Sequence, residues 1–487
     1  MKKNTLHESL TFDDVLLKPR YSDILPSDVN IKTKLTRKIN LNIPFISSAM
    51  DTVTESSMAI SIARLGGLGV IHKNLSIKNQ ALEVEKVKRS ESGIILNPIT
   101  ISPNKTIKDA LEIMNQYRIS GVPVVFRGEL VGILTNRDIR FETNLDLKVS
   151  ERMTSKNLVT APLGTSLQQA KAKLQKNKIE KLLVVNNNKL KGLITVKDIL
   201  KKEHHPNASI DNYGRLLAGA AVGISDNTIK RVNALMEVNT DIIFIDTAHA
   251  HSKSVISKLK SIKKRFPNLQ IVVGNVATIK GFKALCEAGA DAVKIGIGAG
   301  SICTTRIIAG VGVPQLSAVM DCKEISKEYK VPIISDGGMR YSGDIAKSIA
   351  AGSHCVMLGG IFAGSDESPG EIVLWEGRTF KKYRGMGSVS AMKDGSNDRY
   401  FQKKNNKFVP EGIEGMVPQK GPVKDIIYQL AGGLKSSMGY CGTKNIKDFQ
   451  ENAEFTKITN AGMIESHPHD VSITKESPNY RKPIWRK

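Results

Sequence analysis

Aromatic side chains, cysteine and long apolar runs are all scarce in this 487-residue chain. Aromatic residues make up 5% of it, so the core must be built from aliphatic side chains. The 5 cysteines begin only at Cys286, and their odd number argues against a disulfide framework and favours a reducing compartment. No apolar run approaches the roughly 18 residues that a membrane span needs, and the N-terminus lacks the apolar segment of a secretory signal. A cytoplasmic location is therefore expected.

Acidic residues are outnumbered by basic ones, 47 to 71, which gives a formal net charge of +24. A surplus of this size favours nucleic acid, a membrane surface or anionic substrates as partners. The basic residues, however, are spread along the chain with little aromatic interleaving, and no nucleic-acid-binding motif accompanies them. Lysines on solvated faces explain the charge more simply, so nucleic acid is not expected as a partner.

An internal repeat is the clearest sign of domain organisation. The segment from 105 to 140 matches the segment from 165 to 200 without a gap, at an offset of sixty positions (165 − 105). At this offset Gly132 aligns with Gly192. Each copy is predicted as an amphipathic helix followed by two strands around a polar turn. Two such units at one fixed period indicate a duplicated module.

The repeat resembles a tandem pair of cystathionine-β-synthase-type (CBS) domains, which implies a purine nucleotide as its ligand. By that resemblance Thr135 and Asp138 in the first copy, and Thr195 and Asp198 in the second, contact a ribose. The position of both aspartates also allows them simply to cap helices, and this alternative stays open.

Outside the repeat, strand-like apolar runs alternate with helical patterns. Eight runs lie at 44–50, 66–72, 217–223, 241–248, 270–277, 291–301, 331–339 and 354–364. This alternation predicts a parallel sheet of the α/β class, and eight strands predict a (β/α)8 TIM barrel with the repeat inserted after the second strand. A doubly wound sheet is the competitor, but its glycine fingerprint with an acid about 20 residues later is not found. The predicted domains are 1–91 and 209–487 for the barrel, and 92–149 and 150–208 for the CBS pair.

Unusual residues stand at the predicted carboxyl ends of the strands, where TIM barrels place their active sites. Asp336-Gly337-Gly338 follows the seventh strand and Gly359-Gly360 the eighth, and glycines there let backbone N–H groups approach a phosphate. Cys303 follows the sixth strand, among small and hydroxyl residues beside Arg306, a setting that favours thiolate and a nucleophilic role. The cysteines in ordinary helical or loop context are interpreted as structural: Cys286, Cys322 and Cys441.

Several motifs together resemble the inosine-5′-monophosphate (IMP) dehydrogenase family. They are LTFDDVLLKPRYSDILPSDVN, SSAMDTVTES, GAGSICTTR, DGGMRYSGD and YRGMGS. The resemblance runs from Leu10 to about Val471 and includes the CBS insert in its usual place. It implies the oxidation of IMP to xanthosine monophosphate (XMP) with NAD and water, the committing step to guanine nucleotides. It also implies a homotetramer that binds a monovalent cation, usually potassium.

The family's chemistry gives these residues roles. Cys303 adds as thiolate to purine C2 of IMP, hydride passes to NAD, and water hydrolyses the covalent thioimidate that remains. The long polar stretch from about 381 to 421, called the flap below, resembles a mobile segment that replaces NADH and brings Arg399 and Tyr400 to the intermediate. Because guanidinium rarely gives up a proton, either Arg399 or Thr305 takes the proton of the attacking water, and the sequence leaves both open.

The resemblance extends residue by residue. The implied catalytic residues are Cys303, Arg399, Thr305 and Tyr400. IMP is held by Ser301, Asp336, Gly337, Gly338, Gly359, Gly360, Tyr383, Arg384, Gly385, Met386, Gly387 and Glu411. NAD is held by Asp246, Gly296, Ile297 and Gly298. Potassium is bound by Gly298, Gly300 and Cys303, joined by Glu465, Ser466 and His467 from a neighbouring subunit.

Guanosine monophosphate (GMP) reductase is the nearest rival, since that family shares the barrel and the cysteine but runs a reductive deamination with NADPH. It usually lacks the CBS pair and the Arg-Tyr flap. Both features occur in this sequence, so we expect the dehydrogenase.

Overall fold

The computed structural model describes residues 6–480, except 91–94, 97, 118, 197, 198, 200–203 and 403–406. The chain divides into two compact units. The larger unit comprises Met1–Lys88, Asn207–Ser209 and Leu216–Lys487, and the smaller one comprises Arg89–Pro206 and Ile210–Arg215. The predicted junction at 91 and 92 and the predicted ligand residue Asp198 lie outside the described residues.

Eight parallel strands close into a barrel in the larger unit. They are β1 (Phe45–Ser47), β2 (Leu68–Ile71), β3 (Gly219–Val222), β4 (Ile242–Asp246), β5 (Gln270–Val276), β6 (Ala292–Ile295), β7 (Ile333–Asp336) and β8 (Cys355–Leu358). Each strand lies within one of the eight predicted apolar runs, and β8 pairs with β1 to close the ring. The predicted TIM barrel is therefore confirmed.

Helices follow the strands in sequence. They are α1 (Ser56–Arg64), α2 (Ile77–Ser90), α3 (Thr228–Glu237), α4 (Lys253–Arg265), α5 (Ile279–Glu287), α6 (Gln315–Tyr329), α7 (Ser342–Ala350) and α8 (Val423–Tyr440). In α5 the Thr278 hydroxyl accepts a hydrogen bond from the Gly281 N–H and so caps the first turn. Phe282 and Leu285 are buried on one face of this helix, at the spacing that an amphipathic helix requires.

Alternation along each strand divides the apolar side chains between two cores. In β4, Ile243 and Ile245 belong to the core between strands and helices, whereas Ile242 and Phe244 belong to the core inside the barrel. The inner core also contains Leu35, which lies in the hairpin formed by Thr33–Lys34 and Asn40–Leu41. The Thr36 hydroxyl bonds Gln270 at the start of β5, so this hairpin covers the amino ends of the strands and leaves the carboxyl ends open.

Further elements of the larger unit surround the barrel. A three-stranded antiparallel sheet joins Ile372–Trp375, Arg378–Arg384 and Glu414–Pro418. Val15–Leu17 pairs with Phe455–Lys457. Short helices are Thr305–Ile308, Gly360–Ala363, Val389–Lys393, Ile446–Asn452 and Asn460–Glu465, and 3₁₀ turns are Phe12–Asp14, Pro26–Asp28 and Ser396–Tyr400. The flap therefore begins within a strand, contains the 3₁₀ turn that carries Arg399 and Tyr400, and ends beyond the strand that returns to the sheet.

The smaller unit repeats one arrangement at the predicted offset. Gly121–Phe126 pairs with Glu129–Thr135, and Lys181–Asn186 pairs with Lys189–Thr195, each hairpin being antiparallel. Both hairpins shift register at corresponding points, between Val124 and Val125 and between Val184 and Val185. The remaining elements are the strands Ile95–Leu96 and Thr160–Pro162 and the helices Ile107–Tyr117, Val149–Arg152 and Leu167–Lys176.

Asp138 is engaged by its own chain in the smaller unit. One carboxylate oxygen accepts hydrogen bonds from the Thr135 N–H and hydroxyl, both at 2.7 Å, and the other accepts one from the Thr154 hydroxyl at 3.2 Å. These bonds fix the turn of residues 136–141, which is not a helix, so Asp138 stabilises a turn and not the helix that the capping alternative expected. No helix among the described residues has the length and apolar character to cross a membrane.

Candidate active site

An open cavity lies at the carboxyl ends of the barrel strands. Most of the residues implied by the family resemblance line it. They are Cys303, Thr305, Arg399, Tyr400, Asp336, Gly337, Tyr383, Gly385, Met386, Gly387, Glu411, Asp246, Gly296, Ile297, Gly298 and Gly300. The lining residues that the sequence did not single out include Ser48, Met50, Asn275 and Lys294.

Cys303 lies on the turn after β6, held from both sides by backbone hydrogen bonds. Its N–H donates to the Gly300 carbonyl at 3.1 Å, and the neighbouring Thr304 N–H donates to the Glu411 carbonyl at 2.9 Å. The sulfur Sγ is 3.1 Å from the Thr305 hydroxyl oxygen. The candidate nucleophile thus has a hydroxyl group in contact with it, on a turn fixed against the returning arm of the flap.

The other four cysteines are buried, and only Cys303 is partly exposed. Burial raises the pKa of the Cys286 and Cys322 thiols to about 12 and also raises the pKa of Cys441. A thiol in such surroundings stays protonated and inert. The interpretation of these three residues as structural is confirmed by their burial.

A cluster of charged and polar groups joins four adjacent strands at the cavity. Lys294 of β6 is 1% exposed, and its Nζ donates to Asp336 Oδ2 at 2.5 Å and to Asn275 Oδ1. The same nitrogen lies 2.9 Å from Asp246 Oδ1 as an ion pair. A buried ammonium is stable only when it is paired in this way. Lys294 therefore fixes both carboxylates, the one implied for IMP and the one implied for NAD.

Sequence reasoning missed Lys294 and Asn275. A usable signal existed for the lysine, because a charged residue stands within the otherwise apolar run of β6. For Asn275, the signal was a polar side chain near the end of the fully buried β5, whose other polar side chain, Gln270, stands at its start. Neither pattern by itself reveals which carboxylates these residues meet.

Arg399 extends from the 3₁₀ turn of the flap to the end of β4. Its Nη1 pairs with Asp246 Oδ2, and its carbonyl accepts a hydrogen bond from the Ala248 N–H at 2.9 Å. The buried Nε of Arg399 has no hydrogen-bond partner among the residues that the structure describes. Tyr400 packs on Gly387, where a Cβ would lie 2.7 Å from the ring, and burial raises the pKa of the Tyr400 hydroxyl. Both residues line the cavity together with Cys303.

Several implied residues do not line the cavity directly. They are Ser301, Gly338, Gly359, Gly360, Arg384, Glu465, Ser466 and His467. Gly360 and Ser301 are adjacent, since a Cβ on Gly360 would lie 3.0 Å from the Ser301 hydroxyl oxygen. Gly359 lies against the Tyr383 hydroxyl, and burial raises the pKa of Tyr383 to about 12. Ser301, Gly359 and Gly360 therefore lie directly beside Tyr383, a lining residue.

Arg384 is occupied by carboxylates of its own chain. Its Nε and Nη2 donate to the two oxygens of Asp51 at 3.1 and 2.7 Å, and Nη2 also donates to Asp394 at 2.7 Å. These bonds raise the pKa of Arg384. Arg384 thus ties the flap to the loop after β1 instead of contributing to the cavity lining expected of a substrate ligand.

The six residues implied for potassium fall into two groups. Gly298, Gly300 and Cys303 share the turn after β6, and Gly298 has a φ of 73°, which favours glycine. Glu465 ends a short helix and is followed by Ser466 and His467. Within this one chain, Nδ1 of His467 is 2.9 Å from the Tyr480 hydroxyl oxygen.

Comparison with known proteins decides the family. Residues 9–469 match a family model described as IMP dehydrogenase / GMP reductase domain. The inosine-5′-monophosphate dehydrogenase of Bacillus subtilis is 58% identical over 477 residues, which cover 97% of this chain and 98% of that protein. The enzyme of the same name from Aquifex aeolicus is 58% identical over 480 residues, covering 98% of each chain. The chain belongs to the IMP dehydrogenase family. This membership confirms the resemblance and the expected enzyme class, an NAD-dependent oxidoreductase.

A solved structure corrects one argument from the sequence. The C318A variant of GMP reductase from Trypanosoma brucei, in complex with guanosine 5′-monophosphate, has a TM-score of 0.86 and 38% identity. It covers 96% of this chain and 99% of its own, so a GMP reductase can match an IMP dehydrogenase family member over the inserted unit as well. The insert is therefore the wrong criterion for separating the two activities. The higher identity to dehydrogenases, 58% against 38%, separates them instead.

Proposed function

We propose that the chain oxidises IMP to XMP with NAD and water, through a covalent bond from Cys303 Sγ to purine C2. The observation that carries this proposal is the position of the one partly exposed cysteine, in the barrel cavity and 3.1 Å from the Thr305 hydroxyl. The Cys303 thiolate adds to C2, which makes the C2 hydrogen able to leave as hydride. The thioimidate that remains is hydrolysed by water, which forms XMP and releases the thiolate.

Asp336 and the glycines beside it suit IMP. The Asp336 carboxylate ends β7 beside the cavity and can accept hydrogen bonds from a ribose diol. Gly337 and Gly338 have φ values of 98° and 83°, so glycine is required at both positions for the backbone to turn there. A phosphate bound by the loops after β7 and β8 then agrees with the usual place for phosphate in this fold. Gly359 and Gly360, which follow β8, lie beside Tyr383 and Ser301.

Asp246 and the turn from Gly296 to Gly298 fit NAD. A carboxylate at a strand end is a suitable acceptor for ribose hydroxyls. Gly296 has a φ of 145°, and a Cβ there would collide with the Asp336 carbonyl oxygen, so only glycine fits. NAD supplies the hydride acceptor when it is bound. The role of the chain is to hold it over Cys303 with Asp246, Gly296, Ile297 and Gly298.

The flap then supplies the hydrolytic half of the reaction. Because Arg399 pairs with Asp246, one carboxylate serves either the cofactor or the flap, and the two exclude each other. Departure of the cofactor thus allows Arg399 and Tyr400 to reach the intermediate. Two residues of the cavity are the candidates for taking the proton of water: Thr305, whose hydroxyl contacts Sγ, and Arg399, whose guanidinium would first have to lose a proton of its own.

Three further features follow as part of the proposal. Potassium is bound by backbone carbonyls of Gly298, Gly300 and Cys303, since hard cations prefer oxygen, with Glu465, Ser466 and His467 supplied by a second copy of the chain. The active form is a homotetramer, as the family resemblance implies. The repeats at 92–149 and 150–208 are CBS domains that bind a purine nucleotide. In the first repeat the Thr135 hydroxyl donates to Asp138, so the nucleotide would have to bind to residues already bonded to each other.

The test is to incubate the protein with IMP and NAD, follow NADH absorbance, and identify XMP by chromatography. We expect equal amounts of NADH and XMP, and no activity in Cys303→Ser. A parallel incubation with GMP and NADPH tests the reductase. Ammonia release and NADPH consumption there, with no NADH in the first incubation, would reverse the assignment.

A further inference from the structure

A buried ion pair lies outside the residues given any role so far. Lys73 follows β2, is 8% exposed, and its Nζ pairs with Asp398 Oδ1 of the flap. The same nitrogen donates to the carbonyl of Gly395 at 2.8 Å. Lys73 therefore bonds the 3₁₀ turn at two points: at Gly395, which precedes the turn, and at Asp398, the acidic residue in its centre.

Asp398 fits closely against the barrel. A Cβ on Gly223, just after β3, would collide with the Asp398 carboxylate, so only glycine allows this approach. A second cation, Arg231 of α3, lies within the electrostatic influence of Asp398 and is itself held by Gln80 and the carbonyl of Leu75 at 2.7 and 3.0 Å. Burial lowers the pKa of Lys73, and the charge of Asp398 opposes that shift. The pair is thus a desolvated contact between the flap and the barrel.

Sequence adjacency gives the contact its consequence. Asp398 directly precedes Arg399, whose carbonyl is fixed by Ala248. With Asp398 and that carbonyl both held, the Arg399 side chain pairs with Asp246. In the proposed reaction the flap leaves the barrel while the cofactor is bound, and that movement would separate Lys73 from Asp398.

We propose that Lys73 is a positioning residue for the hydrolysis step: its pair with Asp398 holds the flap on the barrel, so that Arg399 and Tyr400 face the covalent intermediate. Lys73 takes no part in hydride transfer, because its ammonium bonds Gly395 and Asp398 of the flap and the residue is not part of the cavity lining. This inference rests on the proposed function. Removing the ammonium leaves the Asp398 carboxylate buried without its partner, a change that strongly disfavours the docked state of the flap.

The experiment uses Lys73→Met in the full-length protein, with rapid mixing of IMP and NAD. We expect an NADH burst near one equivalent per site at the wild-type rate, followed by a steady state at least ~10-fold slower. Mass spectrometry of protein quenched at steady state should show a larger fraction of Cys303 carrying the XMP adduct. NADH should inhibit the variant more strongly, because the flap competes less for Asp246. The matched control is Lys86→Met, since Lys86 is 52% exposed and pairs with Glu83 at the surface.

Two further variants keep the inference falsifiable if Lys73→Met folds poorly. Asp398→Asn should reproduce the slow steady state, and combining it with Lys73→Met should add little, as expected for two partners of one contact. Lys73→Arg should restore part of the hydrolysis rate. Two results would overturn the inference. One is a loss of the NADH burst together with the steady-state rate, and the other is a wild-type steady-state rate in both Lys73→Met and Asp398→Asn. Absence of NADH from the wild-type protein would instead contradict the proposed function.

Discussion

Arg399 and Asp246 form an ion pair across the mouth of the barrel, which joins the flap to the end of β4. Asp246 is also the carboxylate that the family resemblance implies for NAD. In the proposed reaction this carboxylate has two alternative partners, the cofactor during hydride transfer and the flap during hydrolysis.

Replacing Arg399 with alanine should separate these halves. Hydride transfer should proceed, because the flap acts after it, so rapid mixing should show an NADH burst near one equivalent per active site. Hydrolysis should then slow by ~10²–10⁴-fold, the usual contribution of a general base. Raising the pH should partly rescue the variant, since hydroxide replaces an activated water. Arg378→Ala, at an exposed position of the adjoining sheet, is the control.

A different role for Arg399 has a different signature. If it merely binds substrate, Arg399→Ala raises the Michaelis constants for IMP or NAD and produces no burst. Equal loss of the burst and of the steady-state rate would contradict the hydrolytic role of the flap.

The barrel could be predicted from the sequence because each strand is an almost unbroken aliphatic run. β4, for example, is buried at every position from Ile242 to Asp246, as expected for a parallel strand covered on both faces. Cys303 could be predicted as well, because a cysteine among glycines and hydroxyl residues at a strand end differs from a core cysteine in its local sequence alone.

The partners of buried charges could not be predicted. Lys294 meets carboxylates from β4 and β7, and Lys73 meets Asp398, which lies 325 positions further along the chain. No local pattern encodes such contacts, since they depend on how the barrel closes and where the flap returns. The partner of Arg384 could not be predicted either. The family resemblance of its motif implied that it binds substrate, and in the structure its guanidinium pairs with Asp51.

His354 should make the stability of the protein sensitive to acid. Burial lowers its pKa to about 4, and its Nδ1 accepts a hydrogen bond from the Ile333 N–H at 3.2 Å. In the unfolded chain the pKa returns to about 6.5, so the unfolded state binds the proton more readily. The contribution of neutral His354 is therefore present above pH ~6.5 and is lost as the pH falls towards ~4, by up to about 3 kcal/mol.

Urea unfolding between these pH values checks this expectation. His354→Asn keeps an acceptor for the Ile333 N–H but does not titrate, so its free energy of unfolding should fall less with acid than that of the wild type. Identical pH dependence in the two proteins would show that His354 is not the group responsible.

Excising the smaller unit, roughly residues 92–205, should leave catalysis within an order of magnitude of the full-length rate. Among its described residues, that unit contributes no strand to the barrel, and its hydrophobic cores share no residue with those of the larger unit. The measurement is NADH formation by a short-linker deletion variant with a cooperative melting transition. A folded variant without chemistry would mean that the inserted unit carries catalytic residues.

The central claim is a covalent bond between Cys303 and the purine, and mass spectrometry of protein quenched during turnover with IMP and NAD tests it most directly. The account predicts an adduct of XMP mass on the peptide that contains Cys303, and its absence in Cys303→Ala, whose turnover should fall by ~10³-fold or more while IMP still binds. An adduct on another cysteine, or undiminished turnover in Cys303→Ala, would contradict the claim.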